Sequence, residues 1–292
     1  MSWDAVAASI AAATGTAFAI AQCTEVGGGC INRGFRVSGA SQRYFVKLNR
    51  AGRRDMFDAE ADGLRAIEHT GAVRVPRAVC AGEDERDCWL VLEYLELGRG
   101  IAGTMGELGR RLAAMHRSTA ERFGWHRDNT IGATPQHNRW SASWVEFWRT
   151  QRLGFQLELA ARNGHRGEMQ RQGQMLLNRL DALLAHAPVP SLLHGDLWGG
   201  NAAATVDGEP VLFDPACYYG DREADLAMTE LFGGFTPSFY AAYRDAWPLA
   251  AGYDVRRGLY NLYHVLNHLN LFGAGYHAQA EGMIERLLAE VR

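Results

Sequence analysis

Asp196, Asn201 and Asp214 are the residues of this chain whose types and spacing could do chemistry together. The run His194-Gly195-Asp196-Leu197-Trp198-Gly199-Gly200-Asn201 sets an Asn five positions after an Asp, and Phe213-Asp214-Pro215 brings a second Asp thirteen positions later. Phosphoryl-transfer enzymes use that order, a base followed by two oxygen ligands for Mg²⁺. His-Gly-Asp or Asp-Pro alone is an ordinary turn, so the weight rests on the full set. Leu192-Leu193 reads as a short buried strand and Pro210-Val211-Leu212-Phe213 as another, with Val206-Asp207-Gly208-Glu209 as the turn region before the second. Two short strands ending in carboxylates can aim several oxygens into one cleft.

A phosphate donor needs its own cradle. Gly27-Gly28-Gly29-Cys30-Ile31-Asn32-Arg33-Gly34 precedes a strand, and glycines let backbone N–H groups approach phosphate oxygens without a Cβ in the way. The run matches neither G-x-G-x-x-G nor a P-loop, and a glycine cluster before a strand is often only a flexible turn. Lys47, in Phe45-Val46-Lys47, is similar to the strand lysine of kinases. It is expected to reach the α/β-phosphates while Glu60 holds it in a salt bridge. Glu93-Tyr94-Leu95-Glu96, where the sheet-rich part stops, is placed to meet an adenine edge through backbone groups of Glu93 and Leu95.

The elements that must position these residues fall into two parts. Phe35-Arg36-Val37, Arg43 to Leu48 and Cys88 to Tyr94 are rich in aromatic and β-branched residues and read as strands. Gly39 to Gln42 is the hairpin turn between the first two. Met56 to His69 carries Phe57, Leu64 and Ile67 on one helical stripe, with Glu60 on an adjoining part of that face. Leu97-Gly98-Arg99-Gly100 reads as a linker, and most of the chain beyond it is helical. Leu108, Leu112 and Met115 recur at helical spacing, as do Met169, Leu176, Leu180 and Leu183. Three helices come after the catalytic strands, from about Glu223, near Val255 to Leu271, and from His277 to Val291. The prediction is an α+β, bilobal fold: an antiparallel-sheet lobe with one main helix over residues 1–96, and a larger, mainly helical lobe over 97–292. Its cleft would lie at the hinge near Glu93–Gly98.

Bulk properties exclude other classes. The chain has 292 residues, 47% hydrophobic and 22% charged, with net charge −3; that is ordinary for a globular protein and offers no basic surface for nucleic acid or membrane. Met1 to Ala21 is apolar, but Asp4 interrupts it and no basic residue precedes it. An amphipathic first helix fits better than a signal peptide or a membrane span. Five cysteines (Cys23, Cys30, Cys80, Cys88, Cys217) show no C-x-x-C spacing, so neither a zinc site nor a disulfide framework is indicated, and a reduced cytoplasm fits. Cys30, inside the proposed phosphate loop, could act as a redox switch or simply be a small half-buried residue.

Together these residues resemble the fructosamine kinase, or ketosamine-3-kinase, family within the aminoglycoside phosphotransferase and protein-kinase-like fold. The resemblance is carried by Gly28-Gly29-Cys30-Ile31-Asn32, Phe45-Val46-Lys47, Phe123-Gly124-Trp125 with Asn129 to Gly132, His194 to Asn201, Asp214-Pro215-Ala216 through Met228, and Leu262 through Gly273. It spans nearly the whole chain. It implies ATP-dependent phosphorylation of a hydroxyl (O3) on a ketosamine, a sugar joined to an amine either on a protein lysine or in a small molecule, and a repair role in deglycation.

On that reading Asn201 and Asp214 hold the Mg²⁺ of ATP, between the lobes. Asp196 accepts a hydrogen bond from the sugar hydroxyl and aims it in line at the γ-phosphorus. An ordinary aspartate, with a pKa near ~3.9, is a weak base at neutral pH, so orientation matters more than basicity in a loose transition state. Trp198 is expected to wall the sugar or its amine substituent, or else to be core. The resemblance points to His268 as a sugar contact. Glu223 could meet a cationic amine, and Asp225 could support the catalytic loop. His264 and His268 are four residues apart, but no third ligand or H-E-x-x-H suggests zinc. Two alternatives remain open: a related aminoglycoside- or choline-type hydroxyl kinase, and a non-catalytic nucleotide-binding scaffold.

Overall fold

The computed structural model describes residues 3–27 and 31–291. Along the chain come α1 (Trp3–Thr14), β1 (Gln22–Val26), β2 (Arg33–Ser38), β3 (Arg43–Arg50), α2 (Arg54–His69), β4 (Ala78–Glu83), β5 (Asp87–Glu93) and β6 (Leu97–Gly98). Next are α3 (Thr104–His116), β7 (Asn129–Ile131), β8 (Thr134–Gln136), α4 (Trp144–Trp148), a π-helical turn (Arg149–Leu153), α5 (Gly154–Arg162), α6 (Glu168–Leu177) and α7 (Leu180–Leu183). The last third holds β9 (Ser191–Leu193), a 3₁₀ turn (Gly199–Asn201), β10 (Ala202–Thr205), β11 (Pro210–Leu212) and β12 (Tyr218–Gly220). It ends in α8 (Glu223–Leu231), α9 (Pro237–Ala246), α10 (Tyr253–Phe272), a 3₁₀ turn (Ala274–Tyr276) and α11 (His277–Ala289).

These elements form two compact units. The first is Met1–Thr104 with Ala202–Pro215; the second is Met105–Asn201 with Ala216–Arg292. Sequence patterning puts one boundary between residues 96 and 97, whereas the first unit runs eight residues further, to Thr104, and takes in a second segment. The reason is local pairing. Leu97–Gly98, expected as linker, is strand β6, paired with β10 through Ala204↔Gly98 and Thr205↔Leu97. A Cβ on Gly98 would lie 2.8 Å from Val206 Cα, so only glycine permits that approach.

In the first unit an antiparallel sheet runs in the order β1-β2-β3-β5-β4. One face packs on α1: Val6 and Ile10 meet Phe35, Val37, Tyr44, Val46, Leu48, Trp89 and Val91. Because successive strand side chains point to opposite faces, Tyr44, Val46 and Leu48 fix Lys47 on the other face. There α2 buries Phe57, Glu60, Leu64 and Ile67, a stripe at i, i+3, i+7 and i+10. Burying such an apolar side chain contributes about 1.5–3 kcal/mol, enough to seat α2 and carry Glu60 inside with it.

The second unit is mainly helical. Helix α10 packs against α5, α8 and α11, and α11 against α6. The small sheets are β9 with β12 and β7 with β8. Among the described residues four helices come after β12 rather than the three expected, the added one being α9, which buries Phe239, Ala242 and Tyr243. Among the described residues no helix is long and apolar enough to cross a membrane.

Candidate active site

In the first unit, Lys47 Nζ donates to Glu60 Oε1 at 2.6 Å and to Asp214 Oδ1. The strand-lysine and helix-glutamate pair expected from the sequence is thus present, with Asp214 on the same ammonium. Burial alone would lower the Lys47 pKa, but the two carboxylates outweigh it and hold it above the usual lysine range. Burial raises the Glu60 carboxyl above its ordinary range; Lys47 opposes that rise and the charge of Asp214 adds to it. Lys47 is therefore a fixed cation held between two carboxyl groups, which keeps the ammonium in place and ties Asp214 to it.

Asp214 sits just beyond β11, whose register with β10 is set by Ala202↔Leu212 and Ala203↔Val211. Among the described residues it is the one non-glycine with positive φ, 55°. Aspartate tolerates that left-handed conformation better than most residues, at a cost of about 1 kcal/mol. Its side chain remains 48% exposed, so the carboxylate is held by Lys47 without being enclosed.

The residues expected to serve a nucleotide are less uniform. Gly27 is exposed; Gly28, Gly29 and Cys30, with the proposed redox switch, lie outside the described residues. Asn32 Oδ1 accepts from Asn49 Nδ2 of β3 at 2.7 Å, which ties the end of the loop to the lysine strand. Glu93 donates its backbone N–H to Arg77 O at 2.9 Å, and its carboxylate pairs with Arg74 at 2.6 Å. Its side chain therefore braces the strand end. Leu95 is half-buried two residues past β5.

In the second unit the loop from His194 to Asn201 hangs from Asp225 of α8. Its Oδ2 accepts the His194 N–H at 2.7 Å and its Oδ1 the Gly195 N–H at 2.8 Å, while His116 Nε2 lies 3.1 Å from Oδ2. Burial opposes ionisation of Asp225, yet hydrogen bonds from His116 and the backbone hold its carboxyl below the usual value. His116 Nδ1 in turn lies 2.7 Å from Tyr243 Oη, which accepts from Arg222 at 3.1 Å. Sequence reasoning found Asp225 but missed His116 and Tyr243. The signal was there for Tyr243, since Phe239, Ala242 and Tyr243 fall on one helical face, but α9 was not read as a helix.

Gly195 has φ +81°, and a Cβ there would meet Ala216 O at 2.1 Å; only glycine makes this turn. Asp196 comes next, half-buried, and Asn201 Nδ2 donates to its backbone oxygen at 2.8 Å and to Oδ2 at 3.2 Å. With its amide nitrogen so engaged, Asn201 presents Oδ1, a hard oxygen donor suited to Mg²⁺. The carboxylate of Asp214 supplies oxygen donors of the same kind. Asn129, in the signature Asn129 to Gly132, braces the backbone. Its Nδ2 donates to Cys217 O at 2.8 Å, and Gln136 Nε2 donates to Ala216 O at 3.1 Å. These bonds pin the segment immediately after Asp214-Pro215.

The expected acceptor-side residues divide. Trp198 is 41% exposed, beside Asp196, so it is not core. His268 is half-buried near the end of α10, its Nδ1 2.8 Å from His264 O. Glu223 is not available to a substrate amine: it is 2% exposed and both its oxygens are held by Arg256, at 2.6 and 3.0 Å. His186, Asp221 and Glu223 cluster closely enough to suggest a cation site. However, Asp221 accepts from His186 at 2.7 Å and from Tyr260, and Arg256 occupies Glu223; the cluster is a buried ion-pair core. Among the described residues no such group includes His264 or His268.

The sequence model described as fructosamine kinase matches residues 2–290. The chain belongs to the fructosamine kinase family. It is 48% identical over 287 residues to a probable ketoamine kinase of Synechocystis, with 98% of this chain and 97% of that one covered. It is 44% identical over 278 residues to a chloroplastic protein-ribulosamine 3-kinase of Arabidopsis thaliana, covering 94% and 85%. A crystal structure from Haemophilus somnus, described as a fructosamine-3-kinase candidate, superposes with a TM-score of 0.91 at 30% identity over 98% and 97% of the two chains. Choline kinase LicA of Streptococcus pneumoniae shares the fold at 14% identity, with a TM-score of 0.67 and 99% of each chain covered. Membership of this family makes the chain an ATP-dependent kinase with the kinase-like, bilobal α+β architecture.

Proposed function

We propose that this kinase phosphorylates a sugar hydroxyl, O3, of a ketosamine, and that the activity serves deglycation. The observation that carries it is the loop of His194 to Asn201. Its Asp196 is fixed by two backbone bonds to Asp225 on one side and by the Asn201 amide on the other. The curated relatives are named for ketoamine and protein-ribulosamine substrates, which supports the choice among hydroxyl acceptors.

The chemistry gives each residue one role. Lys47, steadied by Glu60, binds the α/β-phosphates. Gly27 and Asn32 contribute to the phosphate loop, and Glu93 to Leu95 meet the adenine edge with backbone groups. Asn201 Oδ1 and Asp214 would hold Mg²⁺, which when bound neutralises phosphate charge. Asp196 accepts the hydrogen bond of the attacking hydroxyl and takes its proton late, so its contribution is chiefly alignment. Trp198 and His268 contact the acceptor.

Purified protein incubated with ATP, Mg²⁺ and a panel of ribulosamines, fructosamines, free ketoses, aminoglycosides and choline tests this by ADP release. Turnover confined to ketosamines is expected, with the product phosphate on O3 by NMR. Preference for an aminoglycoside or choline would replace the reading with its relative, and ADP release by none would favour a binding scaffold.

A further inference from the structure

With Glu223 committed to Arg256, the site lacks the acid expected to greet a substrate amine, and a different surface has the chemistry to do so. Phe232, at the end of α8, and Phe272, the last residue of α10, are exposed by 43% and 55%. Large rings left half in water next to a catalytic loop call for an occupant. They are grouped about one imidazole: Phe232, Phe272 and Tyr276 have ring centroids 5.0, 5.3 and 5.2 Å from that of His268. The group abuts the catalytic loop. Gly233 and Gly234, next in the chain after Phe232, press on Gly199, where a Cβ would lie 2.9 Å from Gly233 O, and Gly199 directly succeeds Trp198.

Three features give this patch a preference for a cation. Aromatic faces carry negative quadrupole density and attract ammonium groups. A carbonyl only accepts, so the 2.8 Å bond between His268 Nδ1 and His264 O places the proton on Nδ1; Nε2 of the neutral ring then carries a lone pair that seeks a donor. Finally, α10 ends at Phe272, where Gly273 turns the chain away with φ 87°, and the C-terminus of a 20-residue helix carries partial negative charge.

We propose that Phe232, Phe272 and Tyr276, with Nε2 of His268, form the subsite for the protonated secondary amine of the acceptor. The proposal rests on the ketosamine reading above and extends it: the amine is held by ring faces and an imidazole lone pair rather than by a carboxylate. An alkylammonium is protonated at neutral pH, so the subsite separates a ketosamine from the bare ketose by charge as well as shape. It also leaves the amine's outer substituent unconfined by any charge pair, which suits carriers of different size.

The test compares two acceptors differing only at that atom, 1-methylamino-1-deoxyfructose and its ether isostere 1-O-methylfructose, by kcat/KM from ADP release. Wild type should favour the amine by about tenfold or more, and Phe232→Leu, Phe272→Leu and Tyr276→Leu should each lower that ratio about threefold, chiefly through KM of the amine acceptor. Phe272→Tyr, which keeps a ring, should restore it. Dimethylammonium should inhibit the wild-type protein competitively against the amine acceptor and not against ATP, a readout that needs no variant to fold. Equal losses toward both acceptors, or inhibition that competes with ATP, would overturn the subsite alone. No turnover of the amine acceptor by wild type would overturn the ketosamine reading itself.

Discussion

Replacing Asp225 with Asn removes one formal charge from a position where the structure uses every acceptor. Asp225 takes the His194 and Gly195 N–H groups and faces His116 Nε2. An Asn amide offers one oxygen. Its best placement keeps that oxygen at the Oδ2 position, serving His194 and His116, and turns its NH₂ toward the Gly195 N–H. One buried backbone donor is then unsatisfied, at about 1–3 kcal/mol, and two charge-assisted bonds become neutral ones, at about 0.5–1 kcal/mol each. The sum, about 3 kcal/mol, corresponds to a Tm lower by roughly 5 °C at this size. The larger effect is functional, because the loop that Asp225 holds carries Asp196, and a misplacement of about 1 Å can lower turnover ~100-fold. Asp225→Asn should therefore lose kcat by about 10–100-fold while ATP affinity changes little. Urea unfolding, steady-state kinetics and nucleotide titration measure all three. A variant within about 1 kcal/mol of wild type that keeps its kcat would refute the claim that this carboxylate positions the loop.

Other outcomes rest on the same bonds. Lys47→Met should raise KM for ATP at least about tenfold and destabilise the protein, because it leaves Glu60 buried without its cation; adding Glu60→Gln should recover part of the stability but none of the affinity, and independent, additive effects on stability in the double-mutant cycle would contradict the pairing. Gly195→Ala should give little folded protein, since its Cβ would overlap Ala216 O; normal expression and activity would mean that the turn is misassigned. Burial, reinforced by His268, lowers the pKa of His264 to about 3 from an unfolded value of 6.5. A depressed histidine pKa means that the unfolded state binds the extra proton, so its stabilisation is complete above pH 6.5 and lost as pH falls toward 3. About 2 kcal/mol should go between pH 7 and pH 5, and His264→Leu should flatten that part of the urea-derived stability profile; an unchanged slope would count against it.

Much of the framework was legible because it comes from periodicity. The alternation of Tyr44, Val46 and Leu48 sets Lys47 on the opposite face, and the stripe of Phe57, Leu64 and Ile67 brings Glu60 to that face. The features that the sequence hid depend on partners distant in the chain. Glu223 looked available because nothing local announces Arg256, thirty-three residues away. The Ala202–Thr205 strand carries almost no β signal; it exists because β11 and β6 flank it. Strand β1, exposed at every residue, has no buried face to impose a pattern. Leu97–Gly98 read as linker for the same reason, since its ladder partners lie in the segment that returns after residue 201. The aromatic patch around His268 was missed because Phe232 and Tyr276 come from outside α10, and only the fold brings their rings to that imidazole.

Parallel assays of wild type and Asp196→Asn with labelled ATP and a ribulosamine or fructosamine test the central claim most directly. Wild type should transfer the γ-phosphoryl group to the sugar. The variant, losing the acceptor of the hydroxyl's hydrogen bond, should fall at least about 100-fold in kcat with ATP affinity nearly intact. Transfer by the variant at close to the wild-type rate would contradict the account.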